Sequence, residues 1–230
     1  MNGEGVFFEF LNDFEENVGL ELNKIAYLKE NDPTTTTFRF RILNNDEELS
    51  NKDLLLFTDG YIALGKEYQR INHVSDMSNI TFGIFQEDAQ EVSFYLKSGT
   101  NLVYKSYNTI DELFNALDND EVQMIIIPHI MYLDRTIGQN YSINYYFTEL
   151  SKKVVLTLSD DNTRLNTIMQ KYFENWQNNN YVEEYNNAYL NYYTEANNLS
   201  AETKADLLSK TYVYGYVENS PYEVEVDGEV

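Results

Sequence analysis

Phe7, Phe10, Leu11, Phe14 and Val18 recur at helical spacing with acidic residues between them, and Gly19 follows. That period lines the apolar side chains along one stripe of a helix, which the glycine stops. Leu20 to Leu28 alternates imperfectly between apolar and polar and predicts a strand ending at Asn31-Asp32-Pro33. Phe38 to Leu43 predicts a further extended segment. Leu54 to Phe57 is a buried-strand signal, followed by Thr58-Asp59-Gly60 and a second run, Tyr61 to Leu64.

From there the pattern alternates between strands and helices, which predicts an α/β chain with a parallel or mixed sheet covered by helices. Ile80 to Phe85, Leu102 to Tyr107, Val122 to Ile127 and Lys153 to Leu158 read as strands. Ala89 to Lys97 reads as a short helix, and Thr109 to Asp118 as a second one, with Thr109 and Glu112 spaced as a capping box. Asn162 to Trp176 carries an apolar stripe, and Tyr181 to Ala196 keeps Tyr185, Tyr189 and Tyr192 at helical spacing. Ser200 caps a last helix through Lys210, and Thr211 to Val217 alternates as a strand. No internal repeat is evident.

Charge and composition narrow the functional classes. The 230 residues carry 16 Lys+Arg against 38 Asp+Glu, a formal net charge of -22. Such a field repels phosphate backbones, so nucleic acid is not an expected partner. With 20 Tyr and 13 Phe the chain has ample area for a core and is expected to fold. The absence of Cys excludes disulfides, cysteine-type zinc sites and thiol nucleophiles, and two His leave few metal ligands, so no metal or cofactor is expected. The longest purely apolar run, Met124 to Ile127, is far too short to span a bilayer, and the acidic start lacks the basic region of a signal peptide.

The order of elements, together with several local signatures, resembles the type 2 periplasmic binding proteins, specifically the extracellular solute-binding family that includes amino-acid receptors of ABC transporters. Ile71 to Met77 looks like the lead-in, and Ile80-Thr81-Phe82-Gly83-Ile84 like the first strand of the second lobe. Tyr107 to Leu117 is similar to the following helix, and Val122 to Ile126 to the strand after it. Val155 to Asn162, with Leu165, Ile168, Tyr172 and Trp176, is similar to the return into the first lobe. One motif is displaced: Tyr212 to Tyr222 looks like the family's first strand and its loop, but lies at the C-terminus. The resemblance therefore implies a two-lobed α/β fold with its first strand supplied from the C-terminus, by permutation or by swapping between copies. Lobe 1 is expected to hold residues 1–64 plus 153–230, and lobe 2 residues 66–148. An unpaired first-strand slot would leave two ladders of backbone groups exposed, so the displaced strand is expected to fill it.

In this fold a ligand touches strand ends and helix N-termini between the lobes. By resemblance the matching places are Thr58, Asp59 and Tyr61; Gln86, Glu87 and Asp88 at a helix start; Pro128 and His129 after a strand; and Glu218, Asn219 and Tyr222. Departures from the family pattern are equally informative. Two carboxylates, Glu87 and Asp88, open the helix that should receive an anionic ligand, Pro128-His129 stands where an Asp is expected, and Arg39 and Arg41 are the only nearby arginines. An added carboxylate would meet repulsion there, so standard amino-acid binding is not expected.

The sequence thus implies an extracytoplasmic solute-binding or ligand-sensing domain, an excerpt of a larger exported protein. Its expected partners are a small molecule of unassigned identity and a membrane transporter or signalling module, with a strand-swapped oligomer as one form of the displaced strand. The alternative is a degenerate binding fold serving as a structural or protein-interaction module. An enzyme related to cyclohexadienyl dehydratase would need an acid/base pair facing the cleft, for which His129 is the only candidate; no nucleophile elbow or phosphate loop is present.

Overall fold

A computed structural model describes residues 6–23, 38–97, 103–159 and 163–213. Helix α1 (Val6–Val18) ends at Gly19, whose φ of +70° is the left-handed conformation that glycine adopts without a Cβ penalty. Strand β1 (Phe38–Leu43) leads to β2 (Asp53–Gly65), then β3 (Thr81–Phe85), α2 (Ala89–Lys97), β4 (Val103–Tyr107), α3 (Ile110–Asp118) and β5 (Met124–Pro128). The short α4 (Leu133–Thr136) precedes β6 (Ser142–Leu158), and three helices follow: α5 (Thr163–Asn179), α6 (Tyr181–Ala196) and α7 (Ala201–Ser209).

The six strands form one sheet in the order β1-β6-β2-β5-β3-β4. β3 is parallel to both β4 and β5, while β2 runs antiparallel to β5 and β6, and β6 antiparallel to β1. The mixed α/β architecture expected from the alternation is therefore present. Thr58-Asp59-Gly60 does not separate two strands: β2 runs through it for 13 residues. Register shifts at Leu55/Phe57, Gly60/Ile62 and Ala63/Leu64 let this long strand bend while staying paired to the 17-residue β6.

Three apolar cores lie along the sheet. At the β1 end, α1 and α5 bury Phe10, Phe14, Met169, Phe173 and Trp176 against Leu54, Leu56, Val154 and Leu156. At the other end, α2 covers Tyr61, Ala63, Phe82 and Ile84 on one face. α3 covers Ile62, Leu64, Ile125 and Ile127 on the opposite face, with Leu113 and Leu117 inward. Because both faces are covered there, β5 is buried at all five positions, as its unbroken apolar run requires. Both sequence-derived caps hold: Thr109 accepts from the Glu112 N–H in a full capping box, and Ser200 accepts from the Thr203 N–H.

Two further expectations differ. Residues 20–23 continue from α1 as irregular chain instead of starting a strand, and the rest of the expected Leu20 to Leu28 strand lies outside the described residues. Thr211, Tyr212 and Val213 are exposed, irregular chain after α7, not a strand. The remainder of that expected strand, with Glu218, Asn219 and Tyr222, lies outside the described residues.

Candidate functional site

The parallel strands β3 and β5 end side by side; the chain leaving β5 bonds to β2, and the chain leaving β3 bonds to the end of β4. After β3 comes Gln86-Glu87-Asp88, the start of α2; after β5 come His129 to Tyr132. Such a crevice at the carboxyl ends of parallel strands is where α/β folds place ligands.

Asp59, in mid-β2, is 1% exposed, and its two carboxylate oxygens accept from the N–H groups of Ile130 (2.8 Å) and Met131 (2.7 Å). The His129 N–H donates to the Gly60 carbonyl at 3.0 Å, so the loop after β5 is pinned to β2 at three successive residues. Burial pushes the Asp59 pKa up, more strongly than these two N–H donors and the nearby His129 pull it down. His129 is half-buried, with its ring edge-on to Tyr146 at 6.0 Å.

Tyr61 is fully buried beneath α2, with its hydroxyl toward Asp88. Burial first, and the charges of Asp88 and Glu91 second, drive its pKa well above the usual tyrosine value. Asp88 is also buried, and its carboxylate lies 2.7 Å from the Lys152 ammonium. The helix start that the resemblance assigns to an anionic ligand is thus neutralised from within the chain. Glu87 and Gln86 flank it as exposed residues, and Thr58 is exposed on β2 opposite Lys153. Arg41 lies 3.9 Å from Asp53, within the sheet, and is not directed at the crevice.

The structure therefore brings Asp59, His129, Glu87 and Asp88 around the two strand ends and places Tyr61 beneath them. Tyr132 was not singled out in the sequence. Burial raises its pKa, with further contributions from the Asp88, Glu87, Asp134 and Asp59 charges. Lys152 was missed as well, because just before the predicted strand Lys153 to Leu158 it reads as an ordinary solvated lysine.

Outside this crevice lies a cavity of about 410 Å³, bounded by Ile130, Met131, Leu133 and Asp134 from the loop after β5. Val6 at the start of α1 and Tyr185, Ala188, Tyr189 and Tyr192 of α6 close its other side. Helix α6 spans the gap: Tyr181 in its first turn packs on Trp176 (ring centroids 5.5 Å), and its C-cap Asn197 abuts Gly138 beyond α4. Among the described residues no cluster of three His or acidic side chains is arranged to hold a metal ion, and no helix is long and apolar enough to cross a membrane.

Neither a scan against protein-family models nor a search of curated proteins found a sequence match. Solved structures do match. The second substrate binding domain of a candidate amino acid ABC transporter from Streptococcus pneumoniae superposes with a TM-score of 0.58 at 14% identity, over 80% of this chain and 89% of that one. The periplasmic VFT2 domain of Bordetella pertussis BvgS gives 0.55 at 11% identity, over 80% and 83%. The substrate-binding protein AbpA of Streptococcus pneumoniae, bound to L-arginine, gives 0.52 at 12% identity, over 80% and 83%. By superposition, this chain has the fold of these substrate-binding domains, the type 2 periplasmic binding protein fold.

Proposed function

We propose that this chain is an extracytoplasmic solute-binding or ligand-sensing domain that takes a small molecule between two lobes and passes the closure to a transporter or signalling module. The lobes are residues 1–64 plus 153–230 and residues 66–148, with long β2 and β6 as the crossings. The observation that carries the reading is the cavity of about 410 Å³ beyond the end of β5, faced by Val6 of α1 and by α6 from the other side. Neighbours of the same fold are substrate-binding domains of amino acid transporters, one of them holding L-arginine. A ligand bridging the lobes favours closure by its greater affinity for the closed form, and no catalytic step is needed.

The cavity walls set the ligand chemistry. Tyr185, Tyr189, Tyr192 and Met131 offer aromatic and apolar surface, Asp134 offers a carboxylate, and Asp59 and Glu87 lie in the adjoining crevice. Arginine is missing from this lining, so the site suits a cationic or neutral molecule with an apolar body better than an anion. Thr58, Gln86 and His129 are proposed as outer contacts. Glu218, Asn219 and Tyr222 join them if the chain after Tyr212 fills the first-strand slot.

Native mass spectrometry of the freshly purified chain, followed by thermal shifts across amines, amino acids and neutral metabolites, tests the reading. A retained or stabilising small molecule together with a smaller radius of gyration supports it. An unliganded mass, no shift with any compound and an unchanged radius would instead favour the degenerate module. That second reading has its own support in Tyr61 and Lys152, which fill the inner crevice with the chain's own side chains.

A further inference from the structure

Among the described residues Lys152 is one of three buried charged side chains, with Asp59 and Asp88, at 8% exposure. Its ammonium is held from three elements. The Asp88 carboxylate at the start of α2 lies 2.7 Å away, the Asn44 side-chain carbonyl after β1 accepts at 2.6 Å, and the Tyr61 ring on β2 presents its face at 6.0 Å. Glu91, one turn into α2, stands 3.6 Å off. Its other oxygen accepts from the Asn45 N–H at 2.9 Å, which ties the turn after β1 to α2.

Two carboxylates, an amide oxygen and an aromatic face are what a primary ammonium needs when it is taken out of water. The cluster is not filled to capacity, however. An ammonium has three donors, and here two are used at hydrogen-bonding distance. Glu91 Oε2, 3.6 Å from the ammonium, is buried without a hydrogen-bond partner. The stem of Lys152, fixed to β6, brings its charge to the site but leaves this oxygen unsatisfied. An ordinary buried ion pair would leave no such remainder.

We infer that Asp88, Glu91, Asn44 and the ring of Tyr61 form a primary-ammonium site, and that Lys152 occupies it as a tethered internal ligand. Its consequence is that the turn after β1 and the start of α2 are held together with no added solute. A tethered group competes at millimolar effective concentration or above, so a free amine does not displace Lys152 from the intact chain at ordinary concentrations. This inference goes beyond the proposed function, since it holds whether or not the outer cavity takes a solute.

Shortening Lys152 to alanine removes three methylenes and the ammonium, a space that propylammonium matches. Lys152→Ala in the full chain is expected to melt roughly 10 °C lower, because two carboxylates stay buried without their counter-charge. Propylammonium then restores the melting temperature saturably, whereas propanol does not, and the wild type does not respond to either. Lys152→Met, whose stem fills the channel without a charge, is not rescued, nor is Lys152→Ala combined with Asp88→Asn. If Lys152→Ala fails to fold in buffer, refolding in propylammonium is the readout, with the same controls. Equal shifts in wild type and variant, no rescue up to about tenth-molar amine, or rescue that survives Asp88→Asn would each overturn the inference.

Discussion

Asp59 and Lys152 stand directly opposite each other on β2 and β6, yet their charges are engaged elsewhere. Asp59 accepts from the backbone of Ile130 and Met131, and Lys152 reaches Asp88 and Asn44. The middle of the two long strands thus anchors two different segments, the loop after β5 and the start of α2, by one charged side chain each. Both segments face the crevice, so the residues that shape it are held from the crossing strands.

Asp59→Ala leaves the N–H groups of Ile130 and Met131 without acceptors, and the chain should lose about 2–4 kcal/mol of stability. Urea unfolding measures this directly. The pH dependence has a definite sign. The folded-state pKa of Asp59 is raised, so the folded state holds its proton more tightly than the unfolded chain does. Its contribution is therefore fully present below the ordinary carboxylate value and is lost as pH rises from there through the raised one. Asp59→Asn should remove that acid-side advantage, and an unchanged pH profile would show that Asp59 does not titrate in this way.

Asp53, at the start of the same strand, behaves in the opposite sense. Burial works to raise its pKa, but hydrogen bonds from the Thr157 and Ser50 hydroxyls and the Ser50 N–H, with the Arg41 charge, outweigh it and lower the value. Its contribution is present above the ordinary aspartate value and lost as pH falls through the lowered one. Asp53→Asn should flatten the acid limb of the stability curve while costing little further below that pKa. Guanidinium titrations between neutral pH and the acid transition decide it.

How much of this was legible in the sequence depends on which force acted. Where burial on one or both faces decided the structure, the pattern spoke plainly: the stripe of α1, the unbroken run of β5 and the Thr109 cap all stand where the periodicity puts them. Thr58-Asp59-Gly60 misled because a turn-like triplet sits inside a strand whose bulges absorb it, and Asp59 is buried only because two N–H donors from residues 71 and 72 positions away meet it. Pairings that distant leave no local trace. Lys152 was invisible for the same reason, since its partners Asp88 and Asn44 come from segments that nothing near it in the chain announces. Likewise, the tyrosines of α6 announced a helix but not the cavity they close.

Gly83 sits in β3 under α3. A Cβ there would lie 2.7 Å from Leu113 Cδ1 and 3.1 Å from Ile125 Cγ2, both buried with no room to retreat. Gly83→Ala should therefore cost about 1–3 kcal/mol by overpacking, although its backbone is unstrained. Pairing it with Leu113→Val should recover part of the loss, and a double variant no more stable than Gly83→Ala alone would locate the strain elsewhere.

Gly138 reports on whether α6 is fastened across the cavity or merely rests there. Its φ of +71° disfavours any side chain, and a Cβ would come within 2.8 Å of Asn197 Oδ1 at the end of α6. The Asn197 amide meanwhile donates to the Tyr193 carbonyl at 2.9 Å, so moving that side chain also loosens the last turn of the helix. Gly138→Ala should cost about 1–2 kcal/mol through backbone strain alone. Its more telling effect is local: amide exchange should quicken over Tyr193 to Asn197, while Tyr181, packed on Trp176, and Tyr185, packed on Tyr181, keep their protection. Asn197→Gly, which removes the obstructing side chain, should relieve part of the Gly138→Ala penalty. Uniform loss of protection along α6 would mean that the helix is not anchored separately at its two ends, and the cavity between them would then not be held open by that span.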